Sequence, residues 1–244
     1  MKKLLILLLL VPSLSWGADF QKGLTAANQG DYATAIKEWT PLAEQGNAAA
    51  QYNLGVMYLN GQGVKQNDKT AAKWLKLAAK QGHALAQLNL GSLYDVGIGV
   101  IQNYQTALKW YTLAADQGYA SAQYNLGSMY DVGSGVVQNY KTAMEWYTLA
   151  ADQGDASAQY SLGFMYNNGQ GVLQNYQTAA KWFTLAADQG FAQAQYSLGF
   201  MYNNGQGVIQ NYQTAMEWLT LAAKNGHPEA QDELDKMHTD MDKS

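Results

Sequence analysis

Cysteine is absent from the 244-residue chain. Without cysteine the chain forms no disulfide, offers no thiol nucleophile and supplies no thiolate ligand to a metal. Its stability must therefore come from packing. Hydrophobic residues make up 48% of the chain and charged residues only 14%, which is enough apolar material for a sizeable core.

Arginine is absent as well, and the formal net charge is −4. Nucleic-acid binding requires clustered basic side chains that displace counterions from phosphates. The sequence contains no such cluster, so we expect no nucleic-acid partner. Proline is scarce, with three residues, whereas glycine occurs 24 times. This balance indicates regular turns between short elements rather than a flexible linker.

The N-terminus has the parts of a secretory signal peptide. Lys2 and Lys3 form a basic end, residues 4–11 form an apolar run, and small residues precede a predicted cleavage after Gly17. A membrane anchor is the alternative, but the apolar run is too short to cross a bilayer readily. We therefore expect residues 1–17 to be removed and the protein to be periplasmic or secreted. No cysteine follows the cleavage site, so a lipid-anchored protein is not indicated.

The dominant feature is self-similarity with a period of 36 residues. It predicts five complete units, preceded by a shorter unit at 18–46 and followed by a polar last helix and tail at 227–244. Pro41 in the shorter unit predicts a kink or a late start of its second helix. The complete units are 47–82, 83–118, 119–154, 155–190 and 191–226. The positions that define the period are Gly46, Gly82, Gly118, Gly154, Gly190 and Gly226, and Trp74, Trp110, Trp146, Trp182 and Trp218.

Each unit contains two helical patterns, which we call helix A and helix B. In the unit 119–154, helix A is predicted at 120–131 and helix B at 140–153. Asn139 is predicted to cap helix B, and Gly133 and Gly135 are predicted to take the positive φ that ends helix A. The predicted core faces are Ala122, Leu126, Met129 and Tyr130 on helix A, and Ala143, Trp146, Leu149 and Ala150 on helix B.

The repeated unit reads A-x-A-Q-Y-x-L-G-x-M-Y-x-x-G-x-G-V-x-Q-N-x-x-T-A-x-x-W-x-x-L-A-A-x-x-G. This pattern resembles the Sel-1-like repeat, a relative of the tetratricopeptide repeat, over residues 47–226. The resemblance implies an all-α, right-handed superhelical solenoid of antiparallel helix pairs with a concave surface. It also implies an adaptor that binds other proteins, as bacterial exported members do in host contact or in control of envelope enzymes. The unit at 18–46 looks more like a plain tetratricopeptide repeat.

Two other functions stay open at this point. A disulfide-rich Helicobacter branch of the family has been linked to penicillin binding or hydrolysis, which suggests an enzyme acting on β-lactams or the cell wall. This chain has no Cys and no Ser-x-x-Lys, the pairing by which an amine activates a serine. A carbohydrate-binding module that uses rows of tyrosines as sugar platforms is the second alternative. We expect no catalytic constellation and no cofactor, and we expect a monomer.

The remaining chemistry-bearing residues favour structural roles. His83 and His227 occupy equivalent positions four units apart, so we expect exposed loop histidines rather than metal ligands. The Gly-x-Gly-Val loops lack the flanking features of a phosphate-binding loop, and their recurrence indicates structural turns. Asp95 and Asp131 lie one repeat apart, on the order of 10 Å by helix packing distance, too far apart to act as a catalytic pair.

The better candidate for function is a groove along the A helices. Resemblance to the tetratricopeptide repeat implies that the positions of Tyr124, Ser128 and Asp131 face the concave surface. Tyr recurs at the first position in four of five units, whereas the other two positions vary, as in a surface tuned for a partner. Packing of the tyrosines between adjacent A helices is the open alternative. We predict that a peptide or partner helix with basic residues near its apolar anchors contacts Tyr52, Val56, Leu88, Asp95, Tyr124, Asp131, Tyr160, Phe164, Asn167, Tyr196, Phe200 and Asn203.

Overall fold

A computed structural model describes residues 18–241 of the chain, with side chains as far as residue 239. This range contains thirteen helices and no strand, so the predicted all-α class is confirmed. Asn-Gly dipeptides, which often form the turn of a β-hairpin, lie here at the C-terminal ends of helices. The predicted signal peptide at residues 1–17 lies outside the described residues, as do the last three residues of the tail.

All the helices have between nine and thirteen residues, as expected for two short helices per unit. In chain order they are α1 (Phe20–Asn28), α2 (Tyr32–Glu44), α3 (Ala48–Asn60), α4 (Asp68–Lys80), α5 (Ala84–Val96), α6 (Tyr104–Ala115), α7 (Ala120–Val132), α8 (Tyr140–Asp152), α9 (Ala156–Asn168), α10 (Tyr176–Asp188), α11 (Ala192–Asn204), α12 (Tyr212–Lys224) and α13 (Ala230–Met241).

Backbone packing divides the chain into two compact units. The first runs to Ala86 and includes residues 98–100, and the second comprises residues 87–97 and those from 101 onward. The first unit contains α1 to α4. The second contains α6 to α13 and most of α5. Within it α8, α10 and α12 each pack against the A helix before and the A helix after, and α6 packs against α7.

The predicted helix ends are confirmed. The Asn139 carboxamide oxygen accepts hydrogen bonds from the backbone N–H groups of Lys141 and Thr142, which caps α8. Gly133 ends α7 with a φ of 79°, and Gly135 in the following loop has a φ of 70°. Both angles lie in the left-handed region that glycine adopts without steric strain, so these two glycines shape the turn from helix A to helix B.

The core of helix A follows the prediction, but that of helix B does not. Ala143 and Ala150 are buried, whereas Trp146 is half-buried and Leu149 is 47% exposed. Tyr147, which was not predicted, is only 2% exposed. The reason is a gap on α7, where Gly127 has no side chain and the Tyr147 ring fills the space. Trp146 instead packs on the core formed by α6 and α7.

The unit at 18–46 follows the same plan with different residues. Trp39 lies at the position equivalent to Tyr147 and is 3% exposed. Glu38, at the position of the other tryptophans, is buried and accepts hydrogen bonds from the Asp19 N–H and the Lys22 ammonium. The predicted late start at Pro41 is wrong, because α2 begins at Tyr32 and runs through the proline. Pro41 lies near the end of α2, where it removes only one helical hydrogen bond.

A row of buried glutamines recurs along the A helices and joins neighbouring helices within each compact unit, and the sequence analysis missed it. In the example of Gln159, the side-chain N–H group donates to the Ala151 carbonyl at 3.2 Å and the side-chain oxygen accepts from Gln189 at 2.8 Å. These bonds link α9 to the C-terminal ends of α8 and α10. The row consists of Gln51, Gln87, Gln123, Gln159 and Gln195, each at most 5% exposed.

Candidate functional site

A cavity of about 440 Å³ opens on the second compact unit, beside α9, α11 and the turn before α13. We call it the α9–α11 cavity. Its apolar walls include Tyr160 and Phe164 of α9, and Tyr196 and Phe200 of α11. Phe183, Met201 and the turn at residues 227–229 also line it. The tyrosine and the phenylalanine of each helix are four residues apart, so they project from one helical face.

The two phenylalanines are the most accessible apolar side chains of the cavity. Phe164 and Phe200 are each 45% exposed. They occupy equivalent positions in consecutive repeats, where earlier units carry Ser92 and Ser128. Large aromatic side chains this exposed are unusual in a well-packed fold, so the cavity presents apolar surface that the fold itself does not cover.

The tyrosines of the cavity both pack and line it. The Tyr160 ring lies 5.5 Å from the Phe183 ring and 5.2 Å from the Phe191 ring, so it is anchored in the core around α10. The Tyr196 ring stacks on the His227 imidazole with a centroid distance of 4.0 Å and an interplanar angle of 8°. The packing of tyrosines that the sequence left open is therefore real, although the partners are the B helices and the turns.

His227 has a structural role that differs from the predicted exposed loop histidine. Its Nδ1 atom accepts a hydrogen bond from the Glu229 N–H at 3.3 Å, and burial lowers its pKa. His83 in the first compact unit behaves alike, accepting from the Ala86 N–H and stacking on Tyr52. The signal in the sequence was positional, because both histidines stand where Asn47 and Asp155 cap a helix A.

The polar part of the cavity consists of amides and one carboxylate. Asn167, Gln193 and Gln206 line it, together with the exposed Glu229. Among the described lining residues, Glu229 is the acidic one and no lysine is present. Burial is the main cause that raises the pKa of the Tyr196 hydroxyl, and the nearby Glu229 carboxylate raises that pKa further.

The twelve residues predicted for the groove do not all share one site. The second compact unit brings five of them together around the α9–α11 cavity, namely Tyr160, Phe164, Asn167, Tyr196 and Phe200. Asn203 is half-buried on α11 but does not line the cavity. In the first compact unit, Tyr52 and Val56 are half-buried on α3. The sequence analysis missed the contribution of the turn at 227–229.

The other four predicted groove residues pack or hydrogen-bond within the fold. The Tyr124 ring lies 5.6 Å from that of Tyr147, whose hydroxyl donates to the Asp131 carboxylate at 3.3 Å. Burial raises the pKa of Asp131, and burial likewise raises the pKa of Asp95 beside the Tyr111 hydroxyl. Leu88 packs on the core around α6 and α7. The two aspartates therefore form part of the structure of their own helix pairs.

The described residues also bear on metal binding and membrane insertion. In residues 18–241 no group of three or more histidine and acidic side chains is arranged to hold a metal ion. None of the helices in this range combines the length and the apolar character that a bilayer crossing requires.

Comparison with known protein families identifies the repeat. The sequence profile of the Sel1 repeat matches five consecutive segments of the chain, each one residue later than the units predicted above. The matched segments are residues 48–83, 84–119, 120–155, 156–191 and 192–227. Among curated proteins, no match to the chain is found.

Solved structures resemble the chain over most of its length. A Sel1 repeat protein from Oxalobacter formigenes is 34% identical with a TM-score of 0.84, over 90% of this chain and 89% of that one. A protective antigen present in uropathogenic Escherichia coli strains, displaying an SLR fold, is 34% identical with a TM-score of 0.80. That alignment covers 88% of this chain but 50% of the antigen, so the chain spans half the antigen's length. The repeat profile and the Oxalobacter structure together show that the chain belongs to the Sel1 repeat family.

Proposed function

We propose that the protein is a protein-interaction module that binds a peptide segment of its partner in the α9–α11 cavity. Sel1 repeat proteins generally act in protein–protein interaction. The observation that carries the proposal is the pair of phenylalanines, Phe164 and Phe200, each 45% exposed in one cavity. Interfaces draw most of their affinity from a few aromatic and apolar anchors that become fully desolvated, and these two side chains have that character.

The cavity suits a peptide better than a small reactive substrate. Its walls combine aromatic rings with the amides of Asn167, Gln193 and Gln206, which can hydrogen-bond to a peptide backbone. Burying a large apolar side chain contributes about 1.5–3 kcal/mol, so two or three such contacts support specific binding. The titratable groups Asp131, Tyr147 and His227 are occupied by contacts within the fold, which argues against a role as general acid or base.

A matched pair of double variants tests the proposal. Phe164→Ala with Phe200→Ala removes the exposed aromatics of the cavity. Leu149→Ala with Leu185→Ala removes two equally apolar residues, each 47% exposed, from helix B positions outside it. We avoid Tyr160 because its contacts with Phe183 and Phe191 would couple binding to stability.

Both double variants and the wild type are used for affinity capture from envelope extracts, with quantitative mass spectrometry of the recovered proteins. We expect the wild type and the leucine variant to recover the same partner. The phenylalanine variant should lose that partner while its circular dichroism spectrum stays helical. Recovery of the same partner at wild-type yield by a folded phenylalanine variant would contradict the proposal.

We further propose that the protein acts outside the cytoplasm. The support is the signal-peptide pattern at residues 1–17 and the predicted cleavage after Gly17. The test is cell fractionation followed by N-terminal sequencing. We expect a periplasmic or secreted chain that begins at Ala18, and a full-length chain recovered from the cytoplasm would overturn the proposal.

A further inference from the structure

We propose that the α9–α11 cavity selects its partner through a basic side chain, whose aliphatic stem lies on Phe164 and Phe200 and whose charged group approaches Glu229. This inference rests on the proposed function and adds the chemistry of the ligand. Lysine and arginine both combine an apolar stem with a terminal cation, and the cavity offers a surface for each part.

The first argument is the charge of the lining. Glu229 is the acidic residue among the described lining residues, and no lysine is among them. The nearest basic residue on α13, Lys236, is paired with Glu233 at 3.3 Å. Within residues 18–239 the Glu229 carboxylate is hydrogen-bonded with the Tyr196 hydroxyl but forms no ion pair, so no cationic side chain of these residues neutralises its charge.

The second argument concerns His227, the other titratable side chain of the turn. A protonated imidazole here would neutralise Glu229. Instead, His227 Nδ1 accepts the Glu229 N–H and its ring is stacked on Tyr196, and burial favours the neutral form. The turn therefore does not supply the positive charge, and a ligand must bring it.

The third argument is the aromatic character of the walls. Tyr160, Phe164, Tyr196 and Phe200 line one cavity. The face of an aromatic ring carries partial negative charge and attracts ammonium and guanidinium groups within about 6 Å. The exposed rings of Phe164 and Phe200 beside the Glu229 carboxylate favour a cation over a neutral apolar group, and both features disfavour an acidic one. A cavity of about 440 Å³ has room for a side chain of this size with part of its backbone.

The test uses four capped peptides, acetyl-Ser-Gly-Leu-X-Leu-Gly-Ser-amide, in which X is lysine, arginine, norleucine or glutamate. Binding to the full mature chain is measured by calorimetry and by chemical-shift perturbation. We expect the lysine and arginine peptides to bind about tenfold more tightly than the norleucine peptide, in line with one desolvated cation–aromatic contact. The glutamate peptide should bind more weakly than norleucine.

Two variants with the same change in net charge provide the control. Glu229→Gln should reduce the preference for lysine over norleucine and leave norleucine binding unchanged, because the aromatic rings remain. Glu145→Gln, on the exposed face of α8, should leave the preference intact. Equal binding of the lysine and norleucine peptides by the wild type overturns the inference, as does a preference that Glu229→Gln does not reduce, or no binding of any peptide at millimolar concentration.

The outcomes separate this inference from the proposed function. If Phe164→Ala with Phe200→Ala loses the captured partner but Glu229→Gln keeps it, the interaction module stands and selection by a basic side chain falls. If the phenylalanine variant keeps the partner, the proposed function itself falls.

Discussion

At the scale of single residues, one contact per helix pair sets how closely the pair packs. A Cβ atom placed on Gly127 would lie 2.5 Å from Cδ1 of the Tyr147 ring, which is too short for any real contact. The same close contact, between a glycine of helix A and a large side chain of helix B, recurs in the other helix pairs. The large side chain is Trp, Leu, Tyr or Phe. The pairs are Gly23 with Trp39, Gly55 with Leu75, Gly91 with Tyr111, Gly163 with Phe183 and Gly199 with Leu219.

Replacing Gly127 by alanine should therefore destabilise the fold although alanine favours helix. Overpacking of a filled core costs about 1–3 kcal/mol, because the ring must leave its position or the helices must separate. Urea denaturation followed by circular dichroism measures the change. Ser121→Ala, at an exposed position of the same helix, is the control and should stay within about 0.5 kcal/mol of the wild type. A Gly127→Ala variant as stable as this control would refute the close contact.

A second residue-scale prediction concerns pH. His83 accepts the Ala86 N–H through Nδ1, and burial holds its pKa below the ordinary value of 6.5. Protonation removes the acceptor, and the unfolded chain binds that proton more readily than the folded one. The contribution of His83 to stability is therefore present above about pH 6.5 and is lost as the pH falls through the lowered pKa.

The matched variant is His83→Asn, because Asn47 caps α3 from the equivalent position without titrating. We expect the difference in unfolding free energy between the wild type and His83→Asn to move in favour of the variant between about pH 7 and pH 5. Chemical denaturation at several pH values gives this difference. A difference that does not change with pH would contradict the proposed capping role of the neutral imidazole.

At the scale of helices, the buried glutamines of α3, α7, α9 and α11 tie each of these A helices to the B helices on both sides. Gln159→Leu would keep the volume but remove two hydrogen bonds between helices, one to the Ala151 carbonyl and one from the Gln189 side chain. An intramolecular hydrogen bond contributes about 0.5–1.5 kcal/mol, so the loss should appear as a lower urea midpoint. Gln177→Leu, exposed on α10, serves as the control and should leave the midpoint close to that of the wild type.

The helices also show what the sequence could predict and what it could not. Caps and stops are local, so Asn139 and Gly133 were readable from the chain alone. Helical periodicity fixes a face only to within about one residue, or 100°, and cannot decide which of two adjacent aromatics is buried. The exchange of Trp146 for Tyr147 was decided by the missing side chain of Gly127 on another helix.

The residues of the candidate site were likewise only partly predictable from the sequence. Phe164 and Phe200 stood out because their position varies between units, whereas the core positions hardly change. Comparison between units marked His227 only as the equivalent of Asn47 and Asp155, and this does not reveal a cavity. Glu229 lies past the last repeat, where the polar tail begins, so comparison between units gave no signal for it, and it joins the cavity only through the fold.

At the scale of the whole molecule, the repeats of the second compact unit meet one another through the same kinds of contact. Removing residues 120–155 would join Tyr119 to Ala156 and bring Gln159 to the Ala115 carbonyl, which Gln123 now contacts. In the full-length chain the loop at Gly171 packs against Tyr140, and the equivalent loop at Gly135 packs against Tyr104. In the shortened chain the Gly171 loop would pack against Tyr104 in place of the Gly135 loop. We expect the shortened chain to unfold cooperatively and to stay helical, with lower stability because one set of neighbour contacts is lost.

Removing residues 120–154 is the control, because it leaves one extra residue, Asp155, in the tight turn before α9 and so breaks the register between that helix and the one before it. That chain should show a broad unfolding transition and bind a dye specific for exposed apolar surface, and a well-folded product would contradict the argument that the repeats meet through the same contacts.

The shared contacts of the glutamine row and the loops have a consequence for inheritance. Recombination between repeated stretches of the coding sequence can duplicate or excise one repeat in frame. The repeats on either side of the change can then make the same contacts with each other as before. The number of units is thus free to drift while the cavity between α9 and α11 is retained.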